Sequence, residues 1–414
     1  MVDEWVPPPD KDIMANATKV PPAGHNRPHV KPIDAATGFG VGDDFERFSQ
    51  RDDVFCRSTW DPEVKSDKVE AFYRGHDMPH AKARGADGFG QRDYALRNAS
   101  WHLTHALRDP QQVGDGRSEG FLNLFSLHGE GWPESFPYDN TENAAADVKR
   151  VAKVFGADLV GICANDERWI YAARFDSATL KGAPVELPED LPWVIVVATA
   201  MDRDLIRTVP SALSGVATGA GYMNDASTLI TLAQFIRNLG YQAYASMNDT
   251  AMAIPMAAQA GLGEVGRHSL LITEEFGPRV RLGKVFTDMP LVADAPKSFG
   301  VRAFCEICNA CAAGCPPQAI AHGPPSAERH NRSNLKGVVK WSTDAEKCFG
   351  FWAAQNSDCS ICVRVCPYNR DYRRWWHRAW RALAGGGLRK LALWLDRWFD
   401  TGRRHRASWW WGRR

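Results

Sequence analysis

Eight of the ten cysteines fall between Cys305 and Cys366, in two runs. The first reads Cys305-x2-Cys308-x2-Cys311-x3-Cys315-Pro316 and the second Cys348-x10-Cys359-x2-Cys362-x3-Cys366-Pro367. Clustering of this kind in a long chain reads as metal ligation rather than as a disulfide framework. In a C-x2-C-x2-C-x3-C-P run, three thiolates hold one [4Fe–4S] cube while the fourth turns away to a second cube. Crossing the fourth ligands gives Cys305, Cys308, Cys311 and Cys366 for one cluster. It gives Cys315, Cys348, Cys359 and Cys362 for the other. The x10 gap bears only on the loop before Cys359. Structural zinc is the competing reading, but zinc sites usually show paired C-x2-C hairpins. Two cubes that exchange ligands must lie close and form a wire for electrons, and a wire needs something at its far end. Of the two remaining cysteines, Cys163 ends the apolar run Asp158–Cys163 and reads as a small core residue; Cys56 has no partner that the sequence names.

The rest of the chain must position the clusters and what they feed. Residues 1–45 are rich in Pro, Gly and charge and read as an extended arm. A helix is expected over Tyr94–Leu107. Another is expected over Ala144–Phe155, where Val148, Val151, Ala152 and Phe155 have amphipathic spacing. Asp158–Cys163 and Trp193–Thr199 read as short buried strands. Asp225–Leu239 sets Leu229, Leu232, Ile236 and Leu239 on one helical face, and Thr250–Gly261 reads as a helix stopped by glycine. Strand–helix alternation over residues 145–290 predicts an α/β or α+β core.

A 414-residue chain with 44% hydrophobic residues can bury a sizeable core. Its net charge of +1 provides no global field pointing to nucleic acid. The charge is uneven: Arg370–Arg414 carries 13 Arg or Lys against Asp371, Asp396 and Asp400, a local +10 that leaves −9 for the rest. The same tail holds eight of the 16 tryptophans. One reading is a helix on an anionic membrane surface, with Leu391, Leu395 and Trp398 at suitable spacing; a nucleic-acid reading lacks any accompanying binding fold. The opening MVDEWVPPPDKD has no basic segment followed by an apolar one and no Arg-Arg pair, so no secretion signal is expected. No run of about 18 apolar residues exists to span a bilayer. A cytoplasmic or membrane-peripheral location is therefore expected.

Beyond the cysteines, the chain resembles the corrinoid- and iron–sulfur-dependent reductive dehalogenases, roughly from Phe45 to Trp411. The segments FERFSQRDDVF (45–55), QRDYALRNASW (91–101), FGADLVGIC (155–163) and GYMNDASTLITLAQFIRNLGYQA (221–243) carry the resemblance. It continues through NDTAMAIPMAAQAGLGEVGRHSLLITEEFGPRVRLGKVFTDMPL (248–291) into the cysteine module. The resemblance implies a nitroreductase-like, cobalamin-binding core over 141–295, with residues 1–140 packed on it. A bacterial-ferredoxin-like 2×[4Fe–4S] domain would follow at 296–370, then the Trp/Arg-rich segment 371–414, which closes as a lid in that family. The cobalamin would be bound base-off, without a protein axial ligand. Consistently, the chain has no Asp-x-His-x-x-Gly signature, and His76 and His80 of GHDMPH (75–80) read as surface or loop residues.

The resemblance also implies that Tyr222, Asn248 and Arg281 face the upper side of the cobalt, and that Gly221, Asp249, Gly261 and Gly263 touch the corrinoid. The trio makes chemical sense. Replacing halide by hydrogen needs two electrons and one proton. Tyrosine is a weak acid with a pKa near ~10, and an adjacent guanidinium would lower it toward a useful range. Arg281 is permanently charged, and the Asn248 amide can donate to the phenol or the substrate. Read alone, Tyr222 is a turn tyrosine after Gly219–Gly221 with a packing role. Arg279 alternates with Arg281 along an extended segment and is the fallback. GLGEVG (261–266) resembles a phosphate loop only loosely, since it lacks the lysine. One departure stands out: where the family often reads Arg-Leu-Cys-Lys, this chain has Arg281-Leu282-Gly283-Lys284.

The expected function is reductive dehalogenation of a small organohalide by Co(I) cobalamin fed by the two clusters. Expected partners are an external donor (ferredoxin, flavoprotein or quinol-linked) and a membrane anchor protein, with no nucleic acid. Respiratory members carry a twin-arginine leader; none is seen here, so it is either missing from this chain or the protein works in the cytoplasm. Two readings compete. A corrinoid reductase of the epoxyqueuosine-reductase type would share the core and cubes, but is not expected to carry the FERF and QRDYAL segments. A pure electron-transfer iron–sulfur protein would bind no corrinoid.

Overall fold

The computed structural model describes residues 40–77, 80–115, 129–177, 179–185, 187–188, 190–399 and 402–412; most of the expected N-terminal arm lies outside the described residues. Trp193–Ala200 (WVIVVATA) is apolar on both faces, so it belongs in the middle of a sheet covered on both sides. It lies inside a four-stranded sheet of β1 (Leu159–Ala164), β2 (Trp193–Ala200), β3 (Ala243–Ser246) and β4 (Val280–Thr287), in the order β1-β2-β4-β3. Every pairing is antiparallel, so the core is α+β and not a wound parallel sheet. Side chains alternate between the faces. Ile162, Ile195, Val197 and Val285 face the helices Thr141–Val154 and Gly215–Asn238. Cys163, Val194, Val196, Leu282 and Phe286 face the helix Ala253–Gln259. Cys163 is thus a core residue, and burial pushes its thiol up.

Helix Thr141–Val154 begins where the Asn140 side chain accepts from Asn143 N at 2.8 Å, a cap worth about 1 kcal/mol. The helix expected to begin at Asp225 begins at Gly215 instead. Its first turns, GVATGAGYMN, carry three glycines, each costing about 1 kcal/mol of helix propensity, which hides the helix from pattern reading. The glycines are there because neighbours pass close. A Cβ on Gly219 would stand 2.2 Å from Ser100 Oγ, and one on Gly221 2.4 Å from Arg281 Cγ. Tyr222 is therefore a buried mid-helix residue, not a turn tyrosine. The partner helix that supplies Ser100 runs Gln91–Asp115, longer at both ends than expected. His76 is half-buried between Phe72 and Trp101 rather than at the surface, and burial lowers it to about 3; His80 is exposed.

Short helices Val301–Ile307, Ala310–Ala313, Ala345–Gln355 and Ile361–Val365 carry Cys305, Cys311, Cys348 and Cys362, and the other four cysteines lie just beyond helix ends. The basic, tryptophan-rich tail divides in two. Helices Trp375–Gly385 and Arg389–Phe399 form a hairpin whose Trp380, Ala384 and Ala392 pack on Phe304 and Tyr368. Helix Ala407–Gly412 closes on the body instead: Trp411 Nε1 donates to Asp93 Oδ1 at 2.8 Å, with Arg92 3.8 Å over its ring. Among the described residues no helix is long and apolar enough to cross a membrane.

Candidate active site

Tyr222 enters the site from helix Gly215–Asn238, Arg281 from β4, and Asn248 from the loop after β3. The Asn248 amide donates to the Tyr222 hydroxyl. Arg281 lays its guanidinium 3.9 Å from the centre of the Tyr222 ring, and Trp101 packs against that ring at 4.8 Å between centroids. Tyr171 steadies the loop by donating to Asn248 O at 3.0 Å. Arg279, the fallback, is buried and donates to the carbonyls of Met201 and Arg370. It ties β4 to the chain just before the tail.

Burial decides the protonation of Tyr222. Removing the phenolate from water raises the pKa, and Arg281 and the Asn248 hydrogen bond only partly offset this. The net shift is upward, so the lowering expected from Arg281 is present but outweighed. Tyr222 holds its proton firmly at neutral pH.

Around it lie buried charges: Asp225 and Lys284, which sequence reasoning missed, and Asp249, which it expected to touch the corrinoid. Asp225, one turn along the helix, accepts from Thr199 Oγ1 at 2.5 Å, and burial lifts it to about 7. Thr199 is the cross-strand partner of Arg281. Lys284, in the centre of β4, donates to Met247 O; burial lowers it to about 8 against the pull of Asp249 and Asp225. Asp249 accepts from Met247 N at 2.9 Å and Thr250 Oγ1 at 2.8 Å, and burial raises it to about 6. It braces the turn that presents Asn248, where Thr250 takes a φ of 67°. The available signal was a charge within an apolar element, Asp225 among ASTLI and Lys284 between Leu282 and Val285.

The glycines taken as corrinoid contacts serve backbone packing. Gly221 clears the stem of Arg281. A Cβ on Gly261, at φ 72°, would stand 2.4 Å from Ala295 O, and one on Gly263 2.2 Å from Ile272 O. Protein backbone fills both positions.

The pattern of the family described as reductive dehalogenase subunit matches residues 175–291, and that of a 4Fe-4S double cluster binding domain matches 304–369. Tetrachloroethene reductive dehalogenase of Sulfurospirillum multivorans is 31% identical over 378 residues, 80% of this chain and 74% of that one. The chain belongs to the reductive dehalogenase family. Tetrachloroethene reductive dehalogenase of Desulfitobacterium hafniense is 37% identical over 305 residues, 64% of this chain and 55% of that one. The chain thus spans about half the length of that relative. A solved catabolic reductive dehalogenase has the same fold, with a TM-score of 0.68 at 22% identity over 91% of this chain and 49% of that one.

In this member of the reductive dehalogenase family the eight cysteines stand in two groups. Cys305, Cys308, Cys311 and Cys366 line one cavity together with Arg267, Phe304 and Tyr368. In the second group Cys348 is influenced by Cys359 and Cys315, and Cys362 by Cys359, Cys348 and Cys315. Cys311 also acts on Cys362, so the groups adjoin. Cys366 thus lies with the first run, and Cys315 lies beside Cys348 and Cys359. Among the described residues no three His, Cys, Asp or Glu side chains converge to hold a single metal ion. Burial raises Cys305, Cys311, Cys348 and Cys359, so cluster loading must displace protons. Arg267, at the end of the GLGEVG loop, donates to Cys305 O at 2.7 Å and Cys308 O at 3.0 Å. That loop therefore serves the first cysteine group. Asp358, next to Cys359, is buried and faces Arg281 and Arg97. The second group thereby reaches the Tyr222 site.

Proposed function

We propose that the chain replaces halogen by hydrogen in an organohalide, using base-off cobalamin and two [4Fe–4S] clusters, with Tyr222 as proton donor. One observation carries this reading: a buried phenol, fixed by Asn248 and covered by Arg281, lies beside the loop that carries Cys359. The family's named substrates support it, as does a solved member described as pointing to B12-dependent dehalogenation. We further propose the nitroreductase-like core at 141–295, the ferredoxin-like domain at 296–370, and electrons from an external donor, with an anchor protein as a further partner.

The reaction consumes two electrons and one proton; the carbon–halogen bond breaks, a carbon–hydrogen bond forms and halide leaves. A corrinoid held against the trio would supply the low-potential cobalt chemistry at the carbon–halogen bond, fed by the clusters one electron at a time. The residues of the trio fit such a group, and the backbone amides of the 261–266 loop remain the proposed contacts to its tail. Tyr222 keeps its proton until the carbon gains electron density. It then donates to that carbon, and Arg281 stabilises the phenolate without itself losing a proton. Asn248 fixes the oxygen's direction through the transfer.

Anaerobic reconstitution tests the proposal. Two cubes predict about eight iron per chain, with a tightly bound corrinoid visible in the absorption spectrum and halide released from tetrachloroethene or an aryl halide. A holoprotein with iron but no place for a corrin ring would reduce the chain to an electron relay.

A further inference from the structure

We infer that the hairpin of helices Trp375–Gly385 and Arg389–Phe399 docks on an anionic lipid bilayer, lying flat against it through the indoles at its open end. The inner face of the hairpin is committed to the protein. Trp380, Ala384 and Ala392 are buried, and Arg370 pairs with Asp396. Trp380 Nε1 donates to Ala392 O at 2.8 Å. That bond ties the two antiparallel helices together.

The outer face is different. Trp375 is 67% exposed, Trp394 52% and Trp398 74%, with Leu388 at 56% and Leu391 at 42%. Leu388, Leu391, Trp394 and Trp398 recur at three- and four-residue spacing, so they form one outward stripe. Trp394 and Trp398 stand 5.9 Å apart, as do Trp375 and Trp376. An apolar stripe of this kind on a surface marks an interaction site.

Charge selects the occupant. From Arg370 to Phe399 the chain carries eight Arg or Lys against Asp371 and Asp396. Arg373, Arg374, Arg378 and Lys390 are exposed around the indoles. A second copy would bring this positive charge against itself. A bilayer with anionic headgroups neutralises it, while the headgroup region accommodates indoles and lets the long basic side chains reach the phosphates. The hairpin packs on the domain of Cys305, Cys308 and Cys366. Docking therefore brings that cluster site within about one helix diameter, ~10 Å, of the membrane face.

The test sediments the holoprotein with vesicles of phosphatidylcholine alone or of phosphatidylcholine mixed with phosphatidylglycerol. The protein should pellet with the anionic vesicles only, and added salt should release part of it. A Trp394→Ser/Trp398→Ser double variant should bind at least ~10-fold more weakly, with unchanged iron content and melting temperature. Brominated lipid should quench the fluorescence of the wild type and not that of the variant. The inference is overturned if the wild type stays in solution with both vesicles, or if the variant binds equally well. It is also overturned by a dimer that the double variant dissolves, which assigns the face to a second copy. Binding only to protein-containing membranes would assign it to a protein partner and overturn it as well.

Discussion

The proposed role of Tyr222 as proton donor requires it to carry its proton, and burial raises its pKa and keeps it so. A Tyr222→Phe protein should therefore hold its iron and corrinoid yet release halide about 10²–10⁴-fold more slowly, the usual contribution of a positioned acid; unchanged turnover would remove Tyr222 as the donor. Asp225 supplies a second prediction. It titrates at 3.8 in an unfolded chain and at about 7 in the fold, so the folded state holds the extra proton between those values. Its contribution to stability is complete below pH ~4 and is lost as pH rises through ~7. The wild-type melting temperature should fall between pH 5 and 8, and Asp225→Asn should flatten that fall; an equal slope in the variant would place the titration elsewhere. None of these residues was legible from spacing. Tyr222, Asn248 and Arg281 come from a helix, a loop and a strand, and only the family resemblance joined them. The cluster cysteines were legible because their close C-x2-C and C-x3-C-P spacings lie within two short runs of chain.

Of the four sheet strands, β1 and β2 could be read because they are short and apolar, with Val and Ile; β3 and β4 were not read as strands. The Gly215–Asn238 helix was read short because its glycines answer to neighbours rather than to helix propensity. Gly221→Ala tests that at the scale of the element. Alanine gains about 1 kcal/mol of propensity, but its methyl would meet Arg281 Cγ at 2.4 Å. The arginine stem is flexible and gives way, so the protein should fold with little change in melting temperature. Halide release should still drop, about 10-fold or more, because Arg281 leaves the phenol. Gly283 obeys the same logic in β4. A Cβ there would stand 2.3 Å from Leu229 Cδ1, which explains why glycine replaces the cysteine common in the family. Gly283→Cys should destabilise by about 1–3 kcal/mol through overpacking, and Leu229→Ala in the same chain should recover part of that loss in thermal melts.

At the scale of the molecule, the two cysteine runs act as one wiring device. Cys366 lies with the Cys305 group and Cys315 with the Cys348 group. Under the proposed ligation each run supplies one ligand to the other's cluster. The second group adjoins the Tyr222 site through Asp358, while the first adjoins the tail hairpin. In the proposed reaction the Cys359 group, next to the Tyr222 site, would be the cluster that passes electrons to the corrinoid. Paired substitutions separate this arrangement from an uncrossed one. If Cys366 and Cys305 serve one cube, Cys366→Ala/Cys305→Ala should lose no more iron than either single change and keep about four per chain. Cys366→Ala/Cys359→Ala should strip both cubes, because its two losses fall on different clusters. An uncrossed arrangement reverses the two results. Halide release should vanish in both pairs under an external donor. A strong chemical reductant that reaches the second cluster directly should restore it in the first pair alone.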